Sequence, residues 1–551
     1  MTTVYVNDQP VDIGSEKLNL IQAAQKIGVL IPHYCWHPAL TVVASCRMCL
    51  VEAGERKPDG TVVMQPKVVP ACQTPARDGT VVRTHSERAV RAQQQTLESL
   101  LLNHPLDCPV CDKAGECTLQ DFSYRFGRAQ SRTIDPKNQP PNKPSIGANI
   151  DLFADRCIMC SRCVRFTREV SGTAELQVIN RGTHSEIDIF PGEPCNNRLA
   201  GNVVDLCPVG ALCSKDFLYK QRVWYLQSQK SVCADCSTGC SIYLDHNKDI
   251  IYRLRPRENP RAQGYFMCDL GRLNYHYVNS AERLRRPLLR SNGSLQEAEW
   301  PAFVAGLRQR LGEMATRGGL VGVLSPFLTC EEAFLLATYL KALGSVQLAL
   351  GPVPVHGTDD TYPKNRKGQP IEPVRFTIRA EKCPNRRGVE EVLRHFQGEV
   401  VDFDRVLEGA AKNVKAIYFA GDYPPGPEPW LRDGQADRLA GLELLVVHEF
   451  FASPVTQQAH FVVPAASYAE KDGTFVNHAG LAQPIRRAVR QPPDCRTDGQ
   501  VFLDLLERRG LVHAPTIRAE IAATIPYFSK LADGHLDELG VVLTASEDHR
   551  T

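Results

Sequence analysis

Fifteen cysteines and one histidine fall into four groups within the first 268 residues of this 551-residue chain. Cys35, Cys46, Cys49 and Cys72 form the first, and His104, Cys108, Cys111 and Cys117 the second. Cys157, Cys160, Cys163 and Cys207 form the third, and Cys233, Cys236, Cys240 and Cys268 the fourth. Thiolate is a soft ligand and imidazole a borderline one, so sets of four at these spacings suit iron–sulfur clusters or zinc. Four clusters on one polypeptide would carry single electrons along it. Such a path needs a donor and an acceptor on partner proteins.

A disulfide scaffold is the first competing reading of 20 cysteines, but beyond Cys268 only Cys330, Cys383 and Cys495 occur. A framework of disulfides would not leave half a chain so bare. Zinc is the stronger competitor, because two Cys-x2-Cys pairs also make a tetrahedral site. The surroundings of each group bear on the choice.

Val4 and Val6, then Asn7-Asp8, then Val11 and Ile13 predict a β-hairpin. Leu20, Ile21, Ala24 and Ile27 mark one face of a helix stopped at Gly28. The first cysteines follow on a loop, spaced Cys-x10-Cys-x2-Cys-x22-Cys. A second helix is predicted over 86–103, with Ser86 as N-cap and Val90, Leu97, Leu100 and Leu101 inward. It delivers His-x3-Cys-x2-Cys-x5-Cys. Residues 129–148 hold four prolines and read as an irregular crossing segment. The third group opens with the Cys-x2-Cys-x2-Cys triplet of bacterial ferredoxins, whose fourth cysteine precedes a proline. Cys207-Pro208 meets that rule; Cys195, followed by Asn196, is the rival, and Cys213 reads as a small buried hydrophobe. The fourth group reads Cys-x2-Cys-x3-Cys-x27-Cys. Arg47, Lys113, Arg156, Arg162 and Arg165 stand where cations would offset cluster charge.

In the second half, Leu320–Ser325, Val346–Leu350, Ala416–Ala420 and Leu444–Val447 read as short apolar strands, and 331–343 as a helix. That alternation predicts a parallel α/β sheet. The stretch from Ala545 to Thr551 reads as a frayed tail.

Several words resemble known families. The hairpin, helix and cysteine loop resemble a plant-type [2Fe–2S] ferredoxin, except that the soluble pattern has only four residues in the first gap. The longer gap resembles the ferredoxin domains of complex I and of iron-only hydrogenases. So do Tyr34-Cys35-Trp36-His37-Pro38, Ser45-Cys46-Arg47-Met48-Cys49 and Pro70-Ala71-Cys72-Gln73-Thr74-Pro75. The second group resembles the [4Fe–4S] module with one histidine ligand shared by those enzymes. The fourth resembles the [4Fe–4S] domain at the front of molybdopterin oxidoreductases, which only some bacterial complex I subunits keep. Thr329-Cys330-Glu331-Glu332, Phe419–Pro424, Phe461–Ala466 and Glu470–Asn477 resemble the molybdopterin-oxidoreductase fold itself.

Taken together, the chain resembles the large iron–sulfur (G-type) subunit of bacterial respiratory complex I, in a short form. The resemblance implies a multidomain α+β and α/β protein. Its parts would be a 2Fe-2S ferredoxin-like (β-grasp) domain over 1–82, a histidine-ligated 4Fe-4S domain over 83–125 and a 4Fe-4S ferredoxin-like domain over 126–222. A molybdopterin-oxidoreductase-type 4Fe-4S domain over 223–280 and a shortened, cofactor-free α/β domain over 281–551 would follow. It implies one 2Fe-2S and three 4Fe-4S clusters on the sixteen residues named above. It implies electron transfer within NADH:quinone oxidoreductase, from an NADH/FMN-binding subunit toward quinone, in a hetero-oligomer with other peripheral-arm subunits. The chain would lie on the cytoplasmic side of the inner membrane, held there through its partners. Molybdenum is not expected, since Gly351–Gly357 lacks the cysteine or selenocysteine that a formate dehydrogenase places there. No Gly-x-Gly-x-x-Gly with a suitable acidic residue after it marks a nucleotide site, so hydride transfer is not expected of this chain alone. Alternatives are the iron–sulfur/molybdenum subunit of an NAD-linked formate dehydrogenase, the electron-input subunit of a hydrogenase and a zinc-stabilised scaffold.

The bulk properties agree. A hydrophobic share of 43% is that of a globular protein, and a net charge of +2 offers no footprint for nucleic acid. No apolar run approaches the roughly 20 residues that span a bilayer, and no secretory signal opens the chain. The expected setting is cytoplasmic, where thiols stay reduced.

Overall fold

The computed structural model describes residues 2–410, 413–426, 430–432 and 434–543; the expected tail at Ala545–Thr551 lies outside the described residues. The chain forms two units, one of Met1–Leu226 with Tyr362–Val374 and one of Gln227–Thr361 with Arg375–Thr551.

In the first unit, Thr3–Val6 pairs antiparallel with Gln9–Asp12. Asn7 and Asp8 turn the hairpin at φ 49° and 66°, the left-handed pair that matches strand twist. Thr3–Val6 then pairs parallel with Thr80–Arg83, which pairs antiparallel with Leu50–Arg56. The short helix Leu20–Gln25 lies against this sheet, its Asn19 and Gln22 forming a capping box. Val4, Val6, Leu20, Ile21, Val51 and Val82 make the core. The second helix is Glu87–Leu101, capped by Ser86 on the Ala89 amide. Its inward face differs from the apolar pattern. Ala89, Gln93 and Leu97 are buried, whereas Val90, Leu100 and Leu101 are half-buried. Gln93 turns the face inward because its amide donates to the Leu50 carbonyl at 3.3 Å, which meets its desolvation cost. Residues 129–148 carry no helix or strand, as their prolines predict.

In the second unit, Gln227–Val232, Ser241–Asn247 and Ile250–Pro256 form an antiparallel sheet. A seven-stranded sheet forms the body of the later half. Gln347–Leu350, Leu320–Leu324, Ala416–Ala420, Leu444–Glu449 and Phe461–Pro464 run parallel in that order. The expected parallel sheet is therefore mixed, because the hairpin of Leu288–Ser291 and Ser294–Glu297 adds to its edge antiparallel. Trp300–Arg317 and Cys330–Ala342 cover one face with Phe303, Leu307, Leu335 and Leu340. Apolar strands covered in this way read as near-continuous hydrophobic runs, which is how they show in the sequence.

Candidate functional site

The first cysteine group sits where the ferredoxin-like sheet leaves loops at one end. Cys35 and Cys46 lie on the loop before Leu50–Arg56, Cys49 abuts that strand, and Cys72 follows Val69–Pro70. Cys35, Cys49 and Cys72 are each 1% exposed. The Cys35 amide donates to Cys46 Sγ at 3.4 Å, and the Ala71 amide to the Cys49 carbonyl at 2.9 Å. The thiols are linked in a chain, Cys46 to Cys35, Cys35 to Cys72 and Cys72 to Cys49. Cys46 and then Cys72 pull the Cys35 thiol down, and Cys72 does the same for Cys49. Cys46 and Cys72 are pushed up by the same contacts and by burial.

In the second group, Cys111 and Cys117 are buried and Cys108 is exposed. Cys117 is the N-cap of the helix Thr118–Phe126. Arg222 ties the loop together, donating to the carbonyls of Cys108 and Cys111 at 3.1 Å each. Arg156 is buried, pairs with Asp107 at 3.0 Å, and acts electrostatically on both His104 and Cys111. Burial lowers the His104 pKa, with Lys137 and Arg156 adding to it. Neutral imidazole is the form that ligates metal.

Cys157, Cys160, Cys163 and Cys207 of the third group line one small cavity with Leu152, Ile187 and Val209. Met159 and Ser161 take left-handed backbone at φ 52° and 58° between these cysteines. Such strain in ordinary residues gathers where a site demands it. Cys195 does not line this cavity; it is buried, with its amide donating to the Ile146 carbonyl at 2.8 Å. Cys213 is buried as well, its thiol donating to the Gly210 carbonyl at 3.6 Å.

The fourth group closes around the sheet that begins at Gln227. The Cys233 amide donates to the Cys240 carbonyl at 2.8 Å, and Cys268 Sγ accepts from the Gly271 amide at 3.4 Å at the head of Asp269–Leu273. All four cysteines are 5% exposed or less.

Three observations bear on what these groups hold. Burial pushes Cys157 up to about 12, Cys160 to about 11 and Cys268 to about 12, so each thiol stays protonated until a cation stabilises its thiolate. A Cβ on Gly210 would stand 2.2 Å from Cys111 Sγ, and one on Gly271 2.8 Å from Cys233 Sγ, so the backbone is held against the sulfur at both places. Among the described residues, the buried Nδ1 of His104 has no hydrogen-bond partner. Clustered buried sulfur, close-packed glycine and an unbonded imidazole nitrogen fit a cluster bound at these places. The offsetting cations are uneven. Arg156 and Arg165 are buried, Arg47 is exposed, and Lys113 faces Glu116 at 3.6 Å.

The comparisons with known proteins follow the same order along the chain. A 2Fe-2S iron-sulfur cluster binding domain matches 1–87, and the NADH-ubiquinone oxidoreductase-G iron-sulfur binding region matches 93–132. The ferredoxin-like domain of NADH-quinone oxidoreductase subunit 3 matches 147–213. The molybdopterin oxidoreductase Fe4S4 domain matches 226–280, and molybdopterin oxidoreductase matches 400–508. The G-type subunit of NADH-quinone oxidoreductase from Rickettsia conorii is 33% identical over 345 residues, 63% of this chain and 50% of that protein. The chain is a homologue of the G-type subunit of NADH-quinone oxidoreductase. The 75 kDa subunit of NADH-ubiquinone oxidoreductase from Reclinomonas americana is 34% identical over 350 residues, 64% of this chain and 49% of its own. The G-type subunit from Streptomyces coelicolor is 36% identical over 327 residues, 58% of this chain and 37% of its own. The chain thus spans about half or less of the length of these relatives. A solved NAD+-reducing [NiFe]-hydrogenase chain is 27% identical at a TM-score of 0.34, covering 40% of this chain and 91% of that one. The fold class expected of this G-type homologue stands, including 2Fe-2S and 4Fe-4S binding domains ahead of a molybdopterin-oxidoreductase domain.

One constellation in the homologue was missed by sequence reasoning. Lys471 Nζ is buried 2.9 Å from Glu332, 3.1 Å from Asp422 and 3.3 Å from Asp498. His448 Nδ1 lies 2.8 Å from Asp498 Oδ1, and Tyr418 Oη 2.8 Å from His448 Nε2. Burial drives Asp422 well up, and Asp498 adds to that. Asp498 goes the other way: burial opposes its ionisation, but Lys471 and His448 hold it below the usual carboxylate range. Asp422, His448 and Asp498 have cation-ligand spacing, yet the Lys471 ammonium already lies against both carboxylates. The signal available in the sequence was charge inside apolar runs: His448-Glu449 continues the strand from Leu444.

A cavity of about 790 Å³ adjoins the fourth group, reached by Asp235 and Leu270 and walled by Gly351–His356, Tyr423 and Trp430. Trp430 stacks on Tyr423 at 4.6 Å and 14°. The Gly351–His356 wall carries no sulfur.

Proposed function

We propose that this chain is an electron-transfer subunit of an NADH:quinone oxidoreductase. It would relay electrons from an NADH/FMN-binding partner toward quinone, within a hetero-oligomer of peripheral-arm subunits on the cytoplasmic side of the inner membrane. The carrying observation is that four sets of metal-ligand side chains recur along 35–268, most of them buried. We assign one 2Fe-2S cluster to Cys35, Cys46, Cys49 and Cys72. One 4Fe-4S cluster goes to His104, Cys108, Cys111 and Cys117, one to Cys157, Cys160, Cys163 and Cys207, and one to Cys233, Cys236, Cys240 and Cys268. When bound, each such cluster takes up and releases one electron. The domains are assigned as 1–82, 83–125, 126–222, 223–280 and 281–551. The chain's own part is to bury the sulfur, fix the loops and place cations beside them. No helix among the described residues is long and apolar enough to cross a membrane, which supports attachment through partners. The sulfur-free wall at Gly351–His356 supports a C-terminal half without molybdenum.

The test is metal and sulfide analysis of anaerobically purified protein with spectroscopy after reduction. The expected result is about fourteen iron atoms per chain, in one two-iron and three four-iron signals. His104→Cys should alter one signal only. Stoichiometric zinc in place of iron, or molybdenum with formate-dependent dye reduction, would overturn the reading.

A further inference from the structure

The first and third cysteine groups lie in the same unit, and two arginines of the third group's helix reach from one to the other. The helix Arg162–Glu169 starts directly after Ser161, between Cys160 and Cys163. Arg162 Nη2 donates to the carbonyl of Trp36 at 2.6 Å, beside Cys35, and its Nη1 donates to the carbonyl of Leu206 at 3.2 Å, beside Cys207. Arg165 Nη2 donates to the carbonyl of Cys35 itself and meets the carbonyl of Cys160 at 3.5 Å, the outer limit of a hydrogen bond. Its Nη1 donates to the Thr41 carbonyl. At the far end of the helix, Glu169 accepts from the Thr41 amide at 2.9 Å and from the Thr41 hydroxyl at 2.6 Å. One short helix thus grips the loop of the first group at Cys35, Trp36 and Thr41 while carrying part of the third.

Charge makes the arrangement unusual. Arg165 is 1% exposed, the largest of the fully buried side chains. Among the described residues, neither guanidinium has a carboxylate within ion-pair distance. The Nε of each is buried without a hydrogen-bond partner among those residues. Burying a guanidinium against carbonyls alone is unfavourable, so such cations persist where an anion shares the space. The sulfur-rich groups on either side are the anions at hand once their thiolates bind metal. An arginine fork is also the side chain suited to joining two acceptors at fixed geometry.

We propose that Arg162 and Arg165 are positioning residues shared by the first and third groups. They clamp the two ligand loops at one separation and supply the positive charge that stabilises the reduced form of both bound clusters. This rests on the electron-relay reading above. It goes beyond that reading in making the two groups one electrostatic unit through these two side chains.

The test is a redox titration of the full chain, following the two-iron signal and the four-iron signals separately, with iron content measured in parallel. Arg162→Gln and Arg165→Gln should each lower the reduction equilibrium constants of the two-iron signal and of one four-iron signal together. The expected size is about tenfold, or about 59 mV for one electron. The remaining two signals should stay in place. Arg165→Lys keeps the charge and loses the fork, so it should shift the same two signals in the same direction by less. It also decides the matter if a glutamine variant loses iron. Movement of one signal alone, of neither, or of all four to the same extent would overturn the clamp. Absence of both signals from the unaltered protein would sink the relay reading instead, and the clamp with it.

Discussion

The cysteine groups and the Lys471 network are both buried sets of ionisable side chains, and they are solved in opposite ways. Each cysteine group is drawn from one stretch of chain: the third runs from Cys157 to Cys207 and keeps three of its cysteines in one loop and helix start. Burial pushes the Cys157, Cys160 and Cys163 thiols up, so their thiolates would need an added cation. The Lys471 network gathers Glu332, Asp422, His448 and Asp498 from separate helices, strands and loops, and it carries its cation within the chain. A neighbouring pair repeats the pattern, with Arg283 and Glu470 making two contacts at 2.6 and 2.8 Å in full burial. On the proposed reading, the first region leaves its charge balance to a cofactor. The other carries its counter-charges within the chain.

The strongest way to break this contrast is to remove the iron. Anaerobic chelation should strip hydrogen-exchange protection from the loops at 33–49, 104–117, 157–163 and 233–240, because ligand binding is part of their folding energy. Protection of the strands Leu320–Leu324, Ala416–Ala420 and Leu444–Glu449 should persist. Equal loss in both regions would show that the second half also depends on metal.

A smaller change tests the self-balanced region. Lys471→Met leaves buried carboxylates without their cation and should destabilise the α/β half by about 3–5 kcal/mol in denaturant titration. Iron content should stay at the unaltered level. A variant that kept its stability would mean the carboxylates are already neutral and Lys471 is dispensable.

The mildest effect is a slope with pH. Burial pushes Glu449 up to about 8 from an ordinary 4.5, against the Phe450 amide and the Trp430 side chain. The folded chain therefore keeps a proton that the unfolded chain releases. This contribution is complete below about 4.5 and fades as pH rises toward 8, by up to roughly 1.4 kcal/mol per pH unit. Glu449→Gln should flatten that part of the stability profile, and an unchanged slope would place the titration elsewhere.

Local structure was legible wherever neighbouring residues dictate it. The Asn7-Asp8 turn, the Ser86 cap and the strands at Leu320, Ala416 and Leu444 stand as the pattern predicts. The hairpin at Leu288–Glu297 was not read, because Leu288-Leu289-Arg290-Ser291 has no alternation and its pairing partner, Phe461–Pro464, is far along the chain. Gln93 was passed over as a core residue because its polarity hides the one acceptor, the Leu50 carbonyl, that lets it be buried.

What the sequence determined by itself is the grouping: cysteine, histidine and proline at fixed offsets are a short-range code, since a few bonds of loop set which sulfurs can meet. Burial, charge balance and the bridge from Arg165 to Cys35 were decided only in three dimensions. They join residues whose separation along the chain bears no relation to their separation in space, and whose energies depend on excluding water from both partners at once.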